Sequence, residues 1–467
     1  MQAIAQVFAK QQSFREQTGR PDYAVRVKVL KKLQRWILDN RPAIGATLHA
    51  DFQKPVPETD GMEIYPVLAE INHTLRHLKK WMRPRKVGRL LALLTARGYV
   101  QYEPKGIVLI IAPWNYPFML TIEPLVSALA AGNSVIIKPS ELAPHTSGLI
   151  KNMISEIFDE HEVAVFEGDK RVAIELLKLP FDHVFFTGST NVGKLVMQTA
   201  AENLTSITLE LGGKSPVIVD ETANLSDAAA KITWGKFCNG GQSCIAPDYV
   251  FIHHTCYDKF ITEVRKAIHT VYGDSTHSQK HCPDYARMVN EVHVQRMKSI
   301  RDTCLQLGGK IEIGGEIDVE ENFVAPTVLS GVDKSCRMMQ EEIFGPMLPV
   351  FTYRDLREPL RYINSKDKPL ALYIFSRNKK NIKSILNSTS AGGSCVNDVL
   401  VHYIQINLPF GGVRHSGMGS AHGYFGFKAF SHERAVMYNT WYSPLKILYP
   451  PYTIRTKKLI DLLIKYF

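Results

Sequence analysis

The chain has 467 residues, more than one ordinary hydrophobic core accommodates, so two or three domains are expected. At 45% hydrophobic and 22% charged residues it has a globular composition, which excludes disorder, collagen and coiled coil as descriptions of the whole. Lys and Arg outnumber Asp and Glu by 56 to 45, and the net charge of +11 admits three kinds of anionic partner: nucleic acid, an anionic cofactor or a membrane surface.

The first 80 residues read as helical. Val27, Val29, Leu30, Leu33, Trp36 and Ile37 recur near a 3.6-residue period, and 62–81 predicts a second long helix. After Gly106 the texture changes to strands alternating with helices. Strands are expected at 107–113, 134–139, 163–167, 183–187 and 206–211, with helices at 120–131 and 146–158. A second series has strands at 216–219, 249–253, 348–352, 372–375 and 393–397, and helices at 227–236 and 257–272. Such alternation implies parallel sheets covered on both faces, hence an α/β fold of two domains with a cleft between them.

The cysteines are Cys238, Cys244, Cys256, Cys282, Cys304, Cys336 and Cys395, odd in number and without a CxxC pair. That argues against a zinc ribbon or a thioredoxin motif, and no metal site is expected. The N-terminus lacks the apolar core of a signal peptide, and the longest apolar stretch, 107–114, is far short of a membrane span. Reduced thiols in a cytoplasmic protein are the expectation.

Several short motifs bear chemistry. In FFTGSTNVGKLV a turn from Gly188 and Ser189 to Gly193 joins a strand to a helix, and a helix N-terminus offers free N–H groups to a phosphate. Its middle glycine is replaced by Thr190, so alone it is as consistent with a plain turn. VIIKPSE ends a strand with Lys138 and Glu141, suited to ribose hydroxyls or to a surface ion pair. LELGGKSP sets Glu210 among apolar residues, and burial raises a carboxyl pKa toward general-base duty. In FCNGGQSCIAP the glycines let the backbone approach a ligand closely and loop N–H groups face an oxyanion beside Cys244, whereas Cys238 reads as structural. APWNYPF offers the Asn115 amide, either to an oxyanion or to an Asx turn.

The serial order of PWNYP, KPSE, FTGST, LELGGKSP, GQSC, EEIFGP and LPFGGV resembles the NAD(P)-dependent aldehyde dehydrogenase superfamily over residues 1–440. The direct start and the CIAPDYV run resemble its class 3 branch, which handles fatty and aromatic aldehydes as homodimers. The resemblance implies a Rossmann-like cofactor domain (1–80 and 101–210), a catalytic α/β domain (211–410) and a small β bridging element for oligomerisation (81–100 and 411–440). It implies Cys244 as nucleophile, Asn115 as oxyanion donor and Glu210 as general base. Lys138 and Glu141 match adenosine-ribose contacts, and Gly188, Ser189 and Gly193 the pyrophosphate turn. Glu342 matches the nicotinamide-ribose ligand, with Phe344 beside it. Tyr65 and Tyr116 are candidate substrate contacts. The cofactor is NAD, with NADP also admitted. The substrate is a hydrophobic aldehyde of medium or long aliphatic, aromatic or extended conjugated kind. The alternatives are a small-aldehyde or semialdehyde dehydrogenase and an inactive NAD-binding structural protein. One departure is Arg414-His415, where many members carry a small glycine; an effect on assembly or substrate entry is expected there, away from the chemistry.

The charge is uneven. Residues 79–89 hold six basic residues and no acid, and 454–467 hold four basic residues and one acid. The latter places Leu459, Ile460, Leu463, Ile464 and Phe467 at helical spacing, yet at about 1.5 Å per residue it reaches only roughly 21 Å, short of a bilayer core of about 30 Å. A basic amphipathic tail over 441–467 is expected, resting on an anionic membrane or on the protein itself. Nothing interleaves aromatic and basic residues as nucleic-acid binding requires.

Overall fold

The computed structural model describes residues 2–90, 93, 95–439, 446 and 448–466. Two large sheets organise a mixed α/β structure. The first has six strands in the order Gly417–Met418, Ser206–Glu210, His183–Thr187, Ile107–Ile111, Ser134–Lys138, Val163–Val165, parallel except for Gly417–Met418. All of Ile107–Ile111 is buried because each face of the sheet has its own core. Val108 and Ile110 pack under the helices Tyr23–Asp39, Tyr65–Trp81 and Met119–Ala131, while Ile107, Leu109 and Ile111 pack on the opposite side with Phe8 and Val196. A strand covered on both faces has no wet side, so its sequence runs apolar without alternation.

The chain leaves Ile107–Ile111 toward Ser134–Lys138 and Val163–Val165, then returns to build His183–Thr187 and Ser206–Glu210 on the other side. The reversal opens a crevice past the carboxyl ends of Ile107–Ile111 and His183–Thr187, where open α/β sheets take ligands.

The second sheet has seven strands in the order Lys310–Ile313, Thr327–Ser330, Met347–Tyr353, Tyr249–His253, Pro216–Val219, Ala371–Phe375, Gly393–Val396. Only its first pair is antiparallel. A smaller antiparallel sheet joins Arg85–Lys86, Ala96–Pro104 and Ser431–Asn439, the last two pairing from Ser431↔Pro104 to Asn439↔Ala96.

Three expectations change. The stretch 411–430 does not belong to that small sheet. Gly417–Met418 instead extends the six-stranded sheet, and Gly423–Ala429 is a helix packed by Phe427 into its core. The helix expected at 62–81 starts with a π-turn, Asp60–Ile64, before Tyr65–Trp81. The helix Glu291–Gln306 was not expected, because its buried stripe of Val294, Met297, Ile300 and Cys304 is diluted by charged neighbours.

The tail forms a helix, Ile454–Tyr466, with Thr456 its one fully buried residue and Ile454, Leu462, Ile464 and Tyr466 exposed. Phe467 and residues 440–445 and 447 lie outside the described residues. Among the described residues no helix is long and apolar enough to cross a membrane.

Candidate active site

Two cavities meet at one point of the fold. A polar cleft of about 750 Å3 runs along Pro113–Asn115, Thr187–Asn191 and Glu341–Glu342. An apolar cavity of about 430 Å3 lies beside it. Leu120, Thr187, Glu210 and Cys244 belong to the walls of both. A group held at Cys244 is therefore reachable from either side.

The loop that carries Cys244 is built by its neighbours. Asn239, Gly240 and Gly241 adopt left-handed φ values of 51°, 60° and 73°. At Gly241 a side chain is excluded, since a Cβ would sit 2.5 Å from the Gly345 carbonyl. Gln242 is fully buried and satisfied: its amide donates to Asn239 O (2.9 Å) and Arg287 O (3.0 Å), and its oxygen accepts from Val289 N (2.9 Å). Asn115 spans toward the same loop, donating from Nδ2 to Gln242 O at 3.0 Å. An amide nitrogen has two hydrogens, so one stays available beside Cys244. Burial, then the Glu342 and Glu210 carboxyls, push the Cys244 thiol well above its ordinary range. Cys238 also lines the apolar cavity, but its thiol contacts Gly235 O at 3.8 Å and sits in the core.

Glu210 ends the strand Ser206–Glu210 and is 5% exposed. Neither carboxyl oxygen has a hydrogen-bond partner, and burial holds its pKa well above the usual carboxylate range. An acid kept unpaired costs stability, and such a group at a cavity junction is poised to take a proton.

The polar cleft fits a dinucleotide. The helix Thr190–Glu202 starts at the cleft, capped by Ser189, whose side chain accepts from Val192 N at 3.4 Å. Glu342 presents a buried oxygen without a partner, and burial with nearby Asp248 raises its pKa to about 8. Trp114 packs edge-on to Phe344 with centroids 5.3 Å apart, making an apolar wall. The loop bearing Glu342 is clamped from below. Lys214 pairs with Asp248 and donates to Met338 O (2.8 Å) and Glu341 O (3.0 Å), while Asp248 accepts from Ile343 N (2.9 Å).

Gly188, Ser189, Glu342 and Phe344 thus line the cleft, and three other candidates do not. Gly193 faces the sheet, where a Cβ would lie 2.6 Å from Leu211 Cδ2; it serves the close approach of helix to strand. Lys138 and Glu141 bond to each other at the carboxyl end of Ser134–Lys138, where Lys138 pairs in register with Ile111.

In the apolar cavity Tyr116 is present and Tyr65 is not. Met62, Pro66 and Glu70 line the cavity four residues apart, and Tyr65, out of phase with them, is 58% exposed. The Arg414-His415 departure is also relocated. His415 lines the polar cleft, pairs with Asp367 at 2.9 Å, and accepts from Thr190 Oγ1 at its carbonyl (3.0 Å). It stands at the phosphate-facing helix start and not at a remote surface. Sequence reasoning passed over Trp114, His293 and Glu123 as well; the seven-residue spacing of Tyr116 and Glu123 was the available signal.

A doubly wound sheet whose cleft opens onto a cysteine and a buried acid is the layout of an NAD(P)-dependent oxidoreductase. The family follows from comparison: the chain belongs to the aldehyde dehydrogenase family, whose model matches residues 2–436. The 4,4'-diaponeurosporen-aldehyde dehydrogenase of Staphylococcus aureus (strain NCTC 8325 / PS 47) is 42% identical over 452 residues, 97% of each chain. Aldehyde dehydrogenase family 3 member A2 of Rattus norvegicus is 41% identical over 96% of this chain and 91% of that one. The solved substrate-bound state of Staphylococcus aureus AldH matches with a TM-score of 0.94 and 41% identity, covering 98% of this chain and 99% of that one. An NAD+ complex of an aldehyde dehydrogenase from Bacillus cereus matches with a TM-score of 0.84 and 26% identity over 93% of this chain and 89% of that one. The protein is an aldehyde dehydrogenase, using NAD or NADP.

Proposed function

We propose that this enzyme oxidises hydrophobic aldehydes to carboxylic acids through a thioester on Cys244. The observation that carries the substrate class is the apolar cavity ending at Cys244, walled by Met62, Tyr116, Met119, Leu120, Trp234 and Ile245.

Cys244 releases its thiol proton to solvent and the thiolate attacks the carbonyl carbon, the resulting oxyanion being held by the free Asn115 N–H and the Cys244 backbone N–H. A dinucleotide held in the polar cleft would supply the hydride acceptor. Hydride departure leaves the thioester. Glu210 takes a proton from water, the hydroxide attacks the acyl carbon, and the acid leaves as the thiol is restored. Gly188 and Ser189 would hold the pyrophosphate, Glu342 and Phe344 the nicotinamide end, and Lys138 with Glu141, at the neighbouring strand end, the adenosine ribose. Glu141 repels a 2′-phosphate, which favours NAD.

A steady-state screen of aldehydes from two carbons to long polyenes, run with both cofactors, tests this reading. Each methylene buried contributes about 0.8 kcal/mol, so kcat/KM rises with chain length until the cavity is filled. A profile that peaks at the shortest aldehydes supports the small-aldehyde alternative instead.

The exposed edge of Ser431–Asn439 offers a pairing surface for a homodimer. The free thiols support a cytoplasmic setting, and the exposed apolar residues of Ile454–Tyr466 among basic ones support a peripheral contact with anionic lipid. Co-sedimentation with anionic liposomes tests the latter; binding unchanged after removal of 441–467 overturns it.

A further inference from the structure

The apolar cavity has several polar wall residues, Glu58, Thr187 and Asp284 among them. Glu70, Glu123, Tyr403 and His422 all line it, alongside Cys244. The Tyr403 hydroxyl donates to Glu123, and His422 Nε2 stands 4.0 Å from the same carboxyl. Glu70 is 1% exposed; its Oε1 accepts from Gly423 N at 2.8 Å, and its Oε2 has no partner. The nearby cation Lys54 is taken up by Glu63. His422 is held at φ 72° and ψ 136°, a costly conformation for a residue with a Cβ. Strain of this kind persists only where the surroundings impose it.

These groups have no part in the thioester chemistry described above. Burying polar atoms in an apolar cavity is unfavourable unless they are satisfied. Burial raises both carboxyls, Glu70 to about 7 and Glu123 well above its ordinary range, and lowers His422 to about 4. Burial therefore favours the uncharged forms of Glu70, Glu123 and His422. None of the described residues lining the cavity is a lysine or arginine, so an anionic group finds no countercharge there. An ammonium requires that buried acids ionise first, against their desolvation. An uncharged hydroxyl or carbonyl needs only one donor and one acceptor, which this set supplies.

We infer that Glu70, Glu123, Tyr403 and His422 form a polar subsite selecting aldehydes that carry a second, uncharged oxygen group on an otherwise apolar chain. The inference deepens the hydrophobic-aldehyde reading and rests on it.

The test is a series of medium-chain hydroxyalkanals in which the hydroxyl is moved along the chain, each compared with the unsubstituted alkanal as a ratio of kcat/KM. The expected result is a peak of about tenfold or more at one hydroxyl position. Glu123→Gln keeps a donor and an acceptor and keeps the peak; Glu123→Leu brings the ratio to near one at every position. Reading a ratio on one preparation removes any loss of folded enzyme from the comparison. A flat series, a peak unmoved by Glu123→Leu, or a preference for an ammonium-bearing aldehyde over its hydroxyl counterpart overturns the subsite and leaves the hydrophobic reading standing. Failure to turn over any unsubstituted medium-chain alkanal overturns that reading and the subsite together.

Discussion

Replacing Cys244 with Ala removes one sulfur from a junction whose other walls stay in place. The dinucleotide cleft keeps Ser189, Glu342 and Phe344, so Cys244→Ala is expected to abolish aldehyde oxidation while cofactor affinity, followed by fluorescence titration, changes little. Glu210→Gln acts later. It preserves shape but not basicity, so rapid-mixing experiments are expected to show a first-turnover burst of reduced cofactor followed by a steady state slowed by about a hundredfold or more. A full-rate steady state would count against Glu210 as the base. The raised pKa of Glu210 has one cause, burial without a partner. A lysine within contact would have lowered that pKa and made the carboxylate a weaker base.

Elements, more than residues, were legible in the sequence. Tyr257–Tyr272 and the buried strands have the expected bounds within a residue or two, because covered parallel strands and strongly amphipathic helices write their periods plainly. The candidate site was legible for another reason: Asn115 and Glu210 lie in short, distinctive motifs at strand ends and Cys244 in a glycine-rich loop ahead of a strand. What was hidden depends on register between distant segments. That Tyr65 faces solvent follows from the phase of a helix opened by a π-turn, and that His415 reaches the cleft follows from the pairing of Gly417 with Glu210. The Cys244 loop supplies a prediction at this scale. Gly241→Ala places a methyl against the Gly345 backbone at φ 73°. Strain and overpacking together cost about 2 kcal/mol or more, expected as a lowered melting temperature with lost turnover; a wild-type melting curve would show that the two loops are not tightly packed.

At the scale of the whole molecule the buried acids set the pH dependence of stability. Glu58 and Glu70 are raised to about 7 and Glu342 to about 8, each chiefly by burial. Between their unfolded values and these folded ones, the native state holds more protons than the unfolded chain, so stability falls as pH rises. His293, His402 and His422, lowered to about 4, act in the opposite sense, and their effect falls to half strength at about pH 6.5 and fades above it. Lys236, lowered to about 8, begins to matter only above that value. The cofactor-free enzyme is therefore expected to lose melting temperature from about pH 6.5 to pH 8, with Glu70→Gln making the decline shallower. A rising melting temperature across that window would contradict the burial of these carboxyls as neutral acids.

The two cavities share only Leu120, Thr187, Glu210 and Cys244, and this has a kinetic consequence. A dinucleotide in the polar cleft and an aldehyde in the apolar cavity would enter from separate sides and meet at these shared walls, so neither would bar the other's entry or exit. The carboxylic acid is then expected to act as a competitive inhibitor against aldehyde and a noncompetitive one against the dinucleotide, a pattern that initial-rate product inhibition reads directly.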